Sequence, residues 1–135
     1  FETTLQLADL IRRTSKRPHD RIPPATRTFQ ALRIAVNQEL QAIESVLPQA
    51  VEALLPGGIL AVISFHSLED RLVKQFFRRE SKDCLCPPRQ PVCTCGHRAQ
   101  IEEVSRRPII AADTEVSLNP RARSARLRVV QKKLA

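Results

Sequence analysis

Apolar side chains recur at helical spacing from the first residues. Leu7, Leu10 and Ile11 share one face of the segment Thr3–Ser15, which predicts a helix capped by Thr3 or Thr4. Residues 16–24 hold three prolines and predict a loop, with the second and third placed to open a helix. From Ala25, Phe29, Leu32, Val36, Leu40, Ile43 and Leu47 return at steps of three and four, a helical pattern lasting about thirty residues. Pro48 has no N–H to donate, so a second helix is predicted to open there and run over 48–55. Thr26, Gln30, Arg33 and Asn37 form a polar stripe on the first of these helices, either a solvated face or a face turned toward a site.

The pattern changes at Gly57-Gly58, where a helix C-cap is expected. Residues 59–65, ILAVISF, run without polar alternation and are rich in β-branched side chains, the reading of a strand covered on both faces as in a parallel sheet. A helix follows at once, with Ser67 as its expected cap, Glu69 and Asp70 in its first turn, and Leu72, Val73, Phe76 and Phe77 on its apolar face up to Glu80. Residues 81–100 have no periodicity. A strand is predicted over 101–109, a short helix near Ala111–Val116, a break at Asn119-Pro120, and a last strand over 125–132. The whole reads as α/β.

The junction Phe65-His66-Ser67 is where chemistry is expected. Ligands of open α/β sheets bind beyond the carboxyl ends of strands, and an imidazole there is suited to moving a proton. The competing reading is structural: Ser67, Glu69 and Asp70 cap a helix and complement its dipole, while His66 is a turn residue.

Charge sharpens the picture. The sequence has 22 Lys+Arg against 14 Asp+Glu, a net charge of +8, concentrated in arginines at 12–17, 78–79, 106–107 and 121–128. Such a balance favours a polyanionic partner, nucleic acid above all. With five Phe and no Trp or Tyr, stacking platforms for bases are scarce, so phosphate contact is the expected use of the arginines. No apolar run approaches the roughly 20 residues of a membrane span, and a soluble, cytoplasmic chain is expected. The absence of methionine and the abrupt helical start predict a piece of a longer protein.

All four cysteines fall in one loop, as Cys84-x-Cys86 and Cys93-x-Cys95. Four thiolates so close in sequence can wrap one tetrahedral Zn²⁺, although the usual spacing is C-x-x-C. Disulfides formed on purification and free thiols are the alternatives, native disulfides being unexpected in a reducing compartment.

Three stretches resemble one family. ATRTFQALRIAVNQEL (25–40), LPGGILAVISFHSLEDRLVKQFF (55–77) and NPRARSARLRV (119–129) are similar to the MraW/RsmH family of bacterial S-adenosylmethionine-dependent methyltransferases, which act on the N4 amine of a cytosine in small-subunit ribosomal RNA. The resemblance implies a class I, Rossmann-like methyltransferase sheet. Residues 1–18 would be the end of a helical insertion domain, and 19–135 the C-terminal part of the catalytic domain with a Cys-rich loop at 81–100. It places His66, Ser67, Glu69, Asp70 and Asn37 at the pocket for the flipped cytosine, and Arg33, Arg121, Arg123 and Arg126 on the RNA. It carries over no cofactor-binding residue. The three glycines, Gly57, Gly58 and Gly96, form no G-x-G, so S-adenosylmethionine is expected to bind only in the intact protein. The alternative is a basic, zinc-stabilised module that binds RNA without catalysis. An unpaired edge on the 59–65 strand would favour a homo-oligomer of the isolated piece.

Overall fold

The computed structural model describes residues 1–15 and 23–134. The expected loop at 16–24 and the expected domain boundary at 18/19 fall largely or wholly outside those residues. The chain divides into two compact units, Phe1–Glu39 and Leu40–Ala135.

The first unit is helical. Helix α1, Thr4–Thr14, begins with a reciprocal capping box: Thr3 accepts from the Gln6 N–H, and the Gln6 side chain accepts in return at the cap. Helix α2, Pro24–Asn37, has proline in its first turn and ends at Gln38, whose φ of 52° lies in the left-handed region. The long helical pattern therefore breaks at Gln38, not at Pro48. Helix α3, Glu39–Ala53, which apart from Glu39 belongs to the second unit, carries Pro48 in its interior. That corrects the expected second helix over 48–55, and the physical reason is exposure. Glu44, whose carbonyl loses its donor to the proline, lies on the solvated side of α3. The neighbouring Ser45 carbonyl gains the Gln49 side-chain amide at 2.8 Å.

The second unit packs a sheet against helices. Strand β1 (Ile59–Ser64) leads into helix α4 (Ser67–Glu80). Then come β2 (Ile101–Glu103), β3 (Ile109–Ile110), helix α5 (Asp113–Leu118), a 3₁₀ turn (Pro120–Ser124) and β4 (Arg126–Lys132). Among the described residues the sheet order is β1-β4-β2, with β3 also against β4 and every pairing antiparallel. Because β1 and β2 both oppose β4, they run in the same direction. The single strand expected over 101–109 is two short ones. Pro108 cannot donate to a ladder, and the Ser105 hydroxyl turns to bond the Arg107 carbonyl.

Leu47 and Val51 of α3, Val73 and Phe77 of α4, Ile101 and Val130 form the core, with Ile43, Leu60, Val62 and Phe76 packed around it. Strand β1 is where the expectation needs correcting. Leu60, Val62 and Ser64 face inward, but Ile59 and Ile63 are each 58 % exposed. The strand has β4 on one edge and helices on one face only, so the apolar run is half covered within this unit.

The turn before β1 is closed by the end of β4. Gly57, at φ 81°, donates to the Lys132 carbonyl at 2.9 Å, and Lys132 returns a bond to the Gly58 carbonyl at 2.8 Å. The Lys132 ammonium reaches the carbonyls of Glu52 and Leu54 at 3.0 and 2.8 Å, placing a cation on the C-terminal end of α3.

Candidate functional site

The site candidates of the second unit gather at the carboxyl end of β1. Antiparallel pairing sets Ser64 opposite Arg126, so the last residue of β1 meets the first of β4. The chain then turns through Phe65 into α4. The cap of α4 is His66, in place of the expected Ser67: its Nδ1 accepts from the Glu69 N–H at 3.3 Å. The Glu69 carboxylate reaches back, its Oε2 accepting from the N–H of Phe65 at 2.8 Å and of His66 at 3.1 Å. Serine is the commoner cap, but the box needs a glutamate or glutamine three residues on. Glu69 stands three after His66, whereas three after Ser67 stands Asp70, which is drawn elsewhere. The second ring nitrogen, His66 Nε2, sits 3.2 Å from Glu69 Oε1. With Nδ1 accepting, a neutral imidazole carries its proton on Nε2, the nitrogen nearer that carboxylate. Ser67 is exposed.

Asp70 turns inward. It is 5 % exposed and receives Arg128 in a forked pair, Nε to Oδ1 at 2.7 Å and Nη2 to Oδ2 at 3.2 Å, together with Arg126 Nη1 at 3.0 Å. The Arg128 hydrogen bond holds the Asp70 carboxyl below its ordinary value. Burial opposes that shift, and Arg126 adds to it. Arg128, itself buried, escaped the sequence reading. The signal was its position: in Arg126-Leu127-Arg128-Val129-Val130 it falls on the same inward face as Val130, and a buried guanidinium requires a carboxylate partner. Arg121 and Arg123 lie exposed on the 3₁₀ turn that feeds β4, and half of the Arg126 side chain is exposed.

Arg33 and Asn37 belong to the first unit. There they converge on Glu39, Arg33 Nε at 2.9 Å from Oε1 and Asn37 Nδ2 at 3.2 Å from the same oxygen. Glu39 was not singled out from the sequence, although it follows the polar stripe directly.

Two concavities of the second unit lie away from His66. One, about 300 Å³, is lined by Glu44, Leu47, Leu72 and Phe76; the other, about 530 Å³, by Ser81, Ile101, Glu103 and Lys133. Neither is lined by His66, which sits at the rim formed by the carboxyl end of β1.

The cysteine loop is a separate centre. The four sulfurs lie within 4.8 Å of one another, a group able to hold a metal ion. Cys95 accepts from the Leu85 N–H at 3.4 Å, which with the His97 N–H draws its thiol down to about 6. The Thr94 N–H lowers Cys86. For Cys84 the Cys86 N–H pulls downward, but the neighbouring thiols of Cys93, Cys86 and Cys95 outweigh it and push it up to about 12.

A profile of the MraW methylase family matches residues 1–133. The chain belongs to the MraW methylase family. Among curated relatives, the ribosomal RNA small subunit methyltransferase H of Thermomicrobium roseum is 60 % identical over 132 residues, covering 98 % of this chain and 40 % of the relative. The proteins of the same name from Heliobacterium modesticaldum and Dehalococcoides mccartyi are each 53 % identical, over 98 % of this chain and 43 % and 38 % of their own lengths. The chain thus spans about two fifths of the relatives it matches. The mixed helix and strand architecture fits an α/β methyltransferase piece.

As a MraW methylase chain it invites a test for the cofactor S-adenosylmethionine. Its residues do not fit one. A cofactor cradle needs glycine backbone open to a ligand. Here Gly57 is tied to β4, and a Cβ at Gly58 would stand 2.8 Å from the Leu55 carbonyl, so both glycines serve chain packing. Gly96 lies in the cysteine loop. No helix among the described residues is long and apolar enough to cross a membrane.

Proposed function

We propose that this chain is the substrate-side, C-terminal part of the catalytic domain of a cytoplasmic methyltransferase that methylates the N4 amine of a cytosine in small-subunit ribosomal RNA. The name shared by the relatives supports the substrate. S-adenosylmethionine belongs to this reading as the cofactor of the intact protein, held by residues outside this chain. Residues 1–18 are read as the end of a helical insertion.

One observation carries the reading. At the carboxyl end of β1 the fold assembles a histidine, two carboxylates and an exposed arginine within a single strand–helix turn and its partner strand. The exocyclic amine of cytosine is a poor nucleophile because its lone pair is delocalised into the ring. An acceptor hydrogen-bonded to the amine localises that pair and takes the proton shed as the new N–C bond forms. The Glu69 carboxylate is assigned that role, with the His66 imidazole beside it and Ser67 and Asn37 assigned to border the base. Asp70 acts through Arg126, holding its guanidinium at the rim. Arg33, Arg121, Arg123 and Arg126 take phosphates, and the base leaves its stack to be reached.

The test is transfer of a labelled methyl group to small-subunit RNA by the full-length protein, with the product nucleoside identified. N4-methylcytidine is expected. Methyl label on another atom, or none, overturns the assignment. A second reading, a basic zinc-stabilised module that binds RNA without catalysis, is favoured by the convergence of four sulfurs in the cysteine loop. It predicts RNA binding that weakens steeply with salt, and no methylated product from the full-length protein.

The isolated chain is assigned a homo-oligomeric state. Among the described residues β1 is the terminal strand of its sheet, and Ile59, Ile63 and Phe65 are more than half exposed. Light scattering at high concentration is expected to give at least twice the chain mass. A monodisperse monomer removes this assignment.

A further inference from the structure

We propose that Cys84, Cys86, Cys93 and Cys95 bind one Zn²⁺ as a tetrathiolate, and that this ion holds the 81–100 loop together beside the C-terminal end of α4.

Above its stem the loop has no regular structure of its own to hold it. Residues 81–100 form neither helix nor strand, and unstructured loops of that length are uncommon in compact domains unless something orders them. Its apolar side chains do not build a core: Leu85 is 43 % and Val92 68 % exposed. Nor is it closed by disulfides, since all four cysteines are free. Yet the four sulfurs converge. Cys84 lies 3.4 Å from Cys93 and 3.8 Å from Cys95, Cys93 lies 3.5 Å from Cys95, and Cys86 lies 4.0 Å from Cys93. The S–S bond of a disulfide is about 2.05 Å. Zn–S bonds of about 2.3 Å in a tetrahedron set sulfurs about 3.8 Å apart, and the observed separations bracket that edge.

The polar surroundings suit a dianionic zinc tetrathiolate. Backbone N–H groups of Leu85, Cys86 and Thr94 each point at a cluster sulfur, at 3.4 Å. Such donors compensate thiolate charge. Lys82, Arg89 and Arg98 flank the ligands in sequence. Four sulfurs arranged around one centre suit zinc or a single iron. Zinc is assigned because it makes no redox demand on a loop as exposed as this one.

The stem below the cluster is fastened separately. His97 Nε2 lies 3.1 Å from the Arg79 carbonyl, Gln100 donates to the Glu80 carbonyl at 2.9 Å, and Ala99 donates to Asp83 at 3.2 Å. These bonds tie the return limb to the end of α4, so an ion at the tip closes a loop whose base is already joined. Binding releases the remaining thiol protons to solvent.

The test uses the full 135-residue chain, purified under reducing conditions from zinc-supplemented cells. Because its four cysteines all belong to the cluster, thiol counting reads the site directly. Expected are one zinc per chain, four thiols slow to react with a disulfide reagent, and a rise in their reaction rate of at least tenfold when a chelator removes the metal. Cobalt substituted for zinc should give the absorption of a tetrahedral thiolate complex. In Cys84→Ser/Cys93→Ser the metal content should fall at least tenfold. The parent measurements stand even if that variant fails to fold. Absence of metal with four fast-reacting thiols overturns the proposal, as do two disulfides, bound iron, or a six-coordinate cobalt spectrum.

Discussion

Asp70→Ala is expected to destabilise the second unit by about 3–5 kcal/mol, the cost of leaving a buried charge without its partner. Two guanidiniums lose their acceptor at once. Arg126 is half exposed and can turn to water, but Arg128 is 5 % exposed and cannot. Against a total stability of roughly 5–15 kcal/mol for a domain, that loss is large. Urea unfolding reads it as a lower midpoint. The double variant Asp70→Leu/Arg128→Met separates charge from packing, because an apolar pair of similar volume often replaces a buried ion pair without loss. It should recover most of the midpoint. The pH dependence has a definite sign. A carboxyl whose folded pKa is lowered contributes stability above its unfolded value and loses it as pH falls through the folded value. The Asp70 carboxyl is lowered from 3.8, so the gap between parent and Asp70→Ala should be full near neutrality and close only in acid below that point. A gap below about 1 kcal/mol at pH 7 would mean that Arg128 finds another acceptor.

That pair also shows what a sequence can and cannot convey. The strands at 59–64 and 126–132 and the helix at 67–80 were legible, the first strand from its unbroken β-branched apolar run and the helix from its recurring apolar face. Asp70 was visible as a first-turn acid, and from that position alone it reads as a cap. Its inward turn is set by Arg128, which lies 58 residues away and is brought there by the β1–β4 register. The inward position of Arg128 in β4 is a local signal that it needs a carboxylate, but nothing local names Asp70 as that partner. Pro48 failed for a different reason: a helix-breaking rule costs most where the orphaned carbonyl is buried, and Glu44 of α3 is exposed. The cap at His66 was readable and missed. Residue preference favours Ser67, while the three-residue step to a glutamate favours His66, and the second is the tighter geometric constraint. The cysteine spacing announced a cluster, but only coordinates show all four sulfurs meeting. Covering both faces of β1 was inferred from its composition, and within this chain Ile59 and Ile63 stay open to solvent.

His66→Ser in the full-length protein is expected to lower turnover by about 10²–10⁴, the usual scale of general acid–base catalysis, because the Glu69 acceptor loses the imidazole beside it, while stability stays within about 1 kcal/mol of the parent. The choice of serine matters. His66 has two jobs in this structure: its Nδ1 caps α4, and its Nε2 meets the Glu69 carboxylate at 3.2 Å. Alanine would remove both and confuse a frayed helix with lost chemistry. Serine is among the best helix caps, so it restores an acceptor for the Glu69 N–H and deletes only the imidazole. Glu69→Gln is the complementary change. Glutamine serves a capping box as well as glutamate does, so the bonds from Phe65 and His66 survive and only the charge disappears. If Glu69 accepts the amine proton beside His66, both variants lose turnover, both keep their unfolding midpoints, and the KM for RNA moves little because the phosphate contacts are assigned to arginines. A histidine that merely caps predicts the reverse for His66→Ser: a stable protein with parental turnover. Normal kcat in both variants would remove the proton-acceptor role from this turn and leave the imidazole as a helix cap alone.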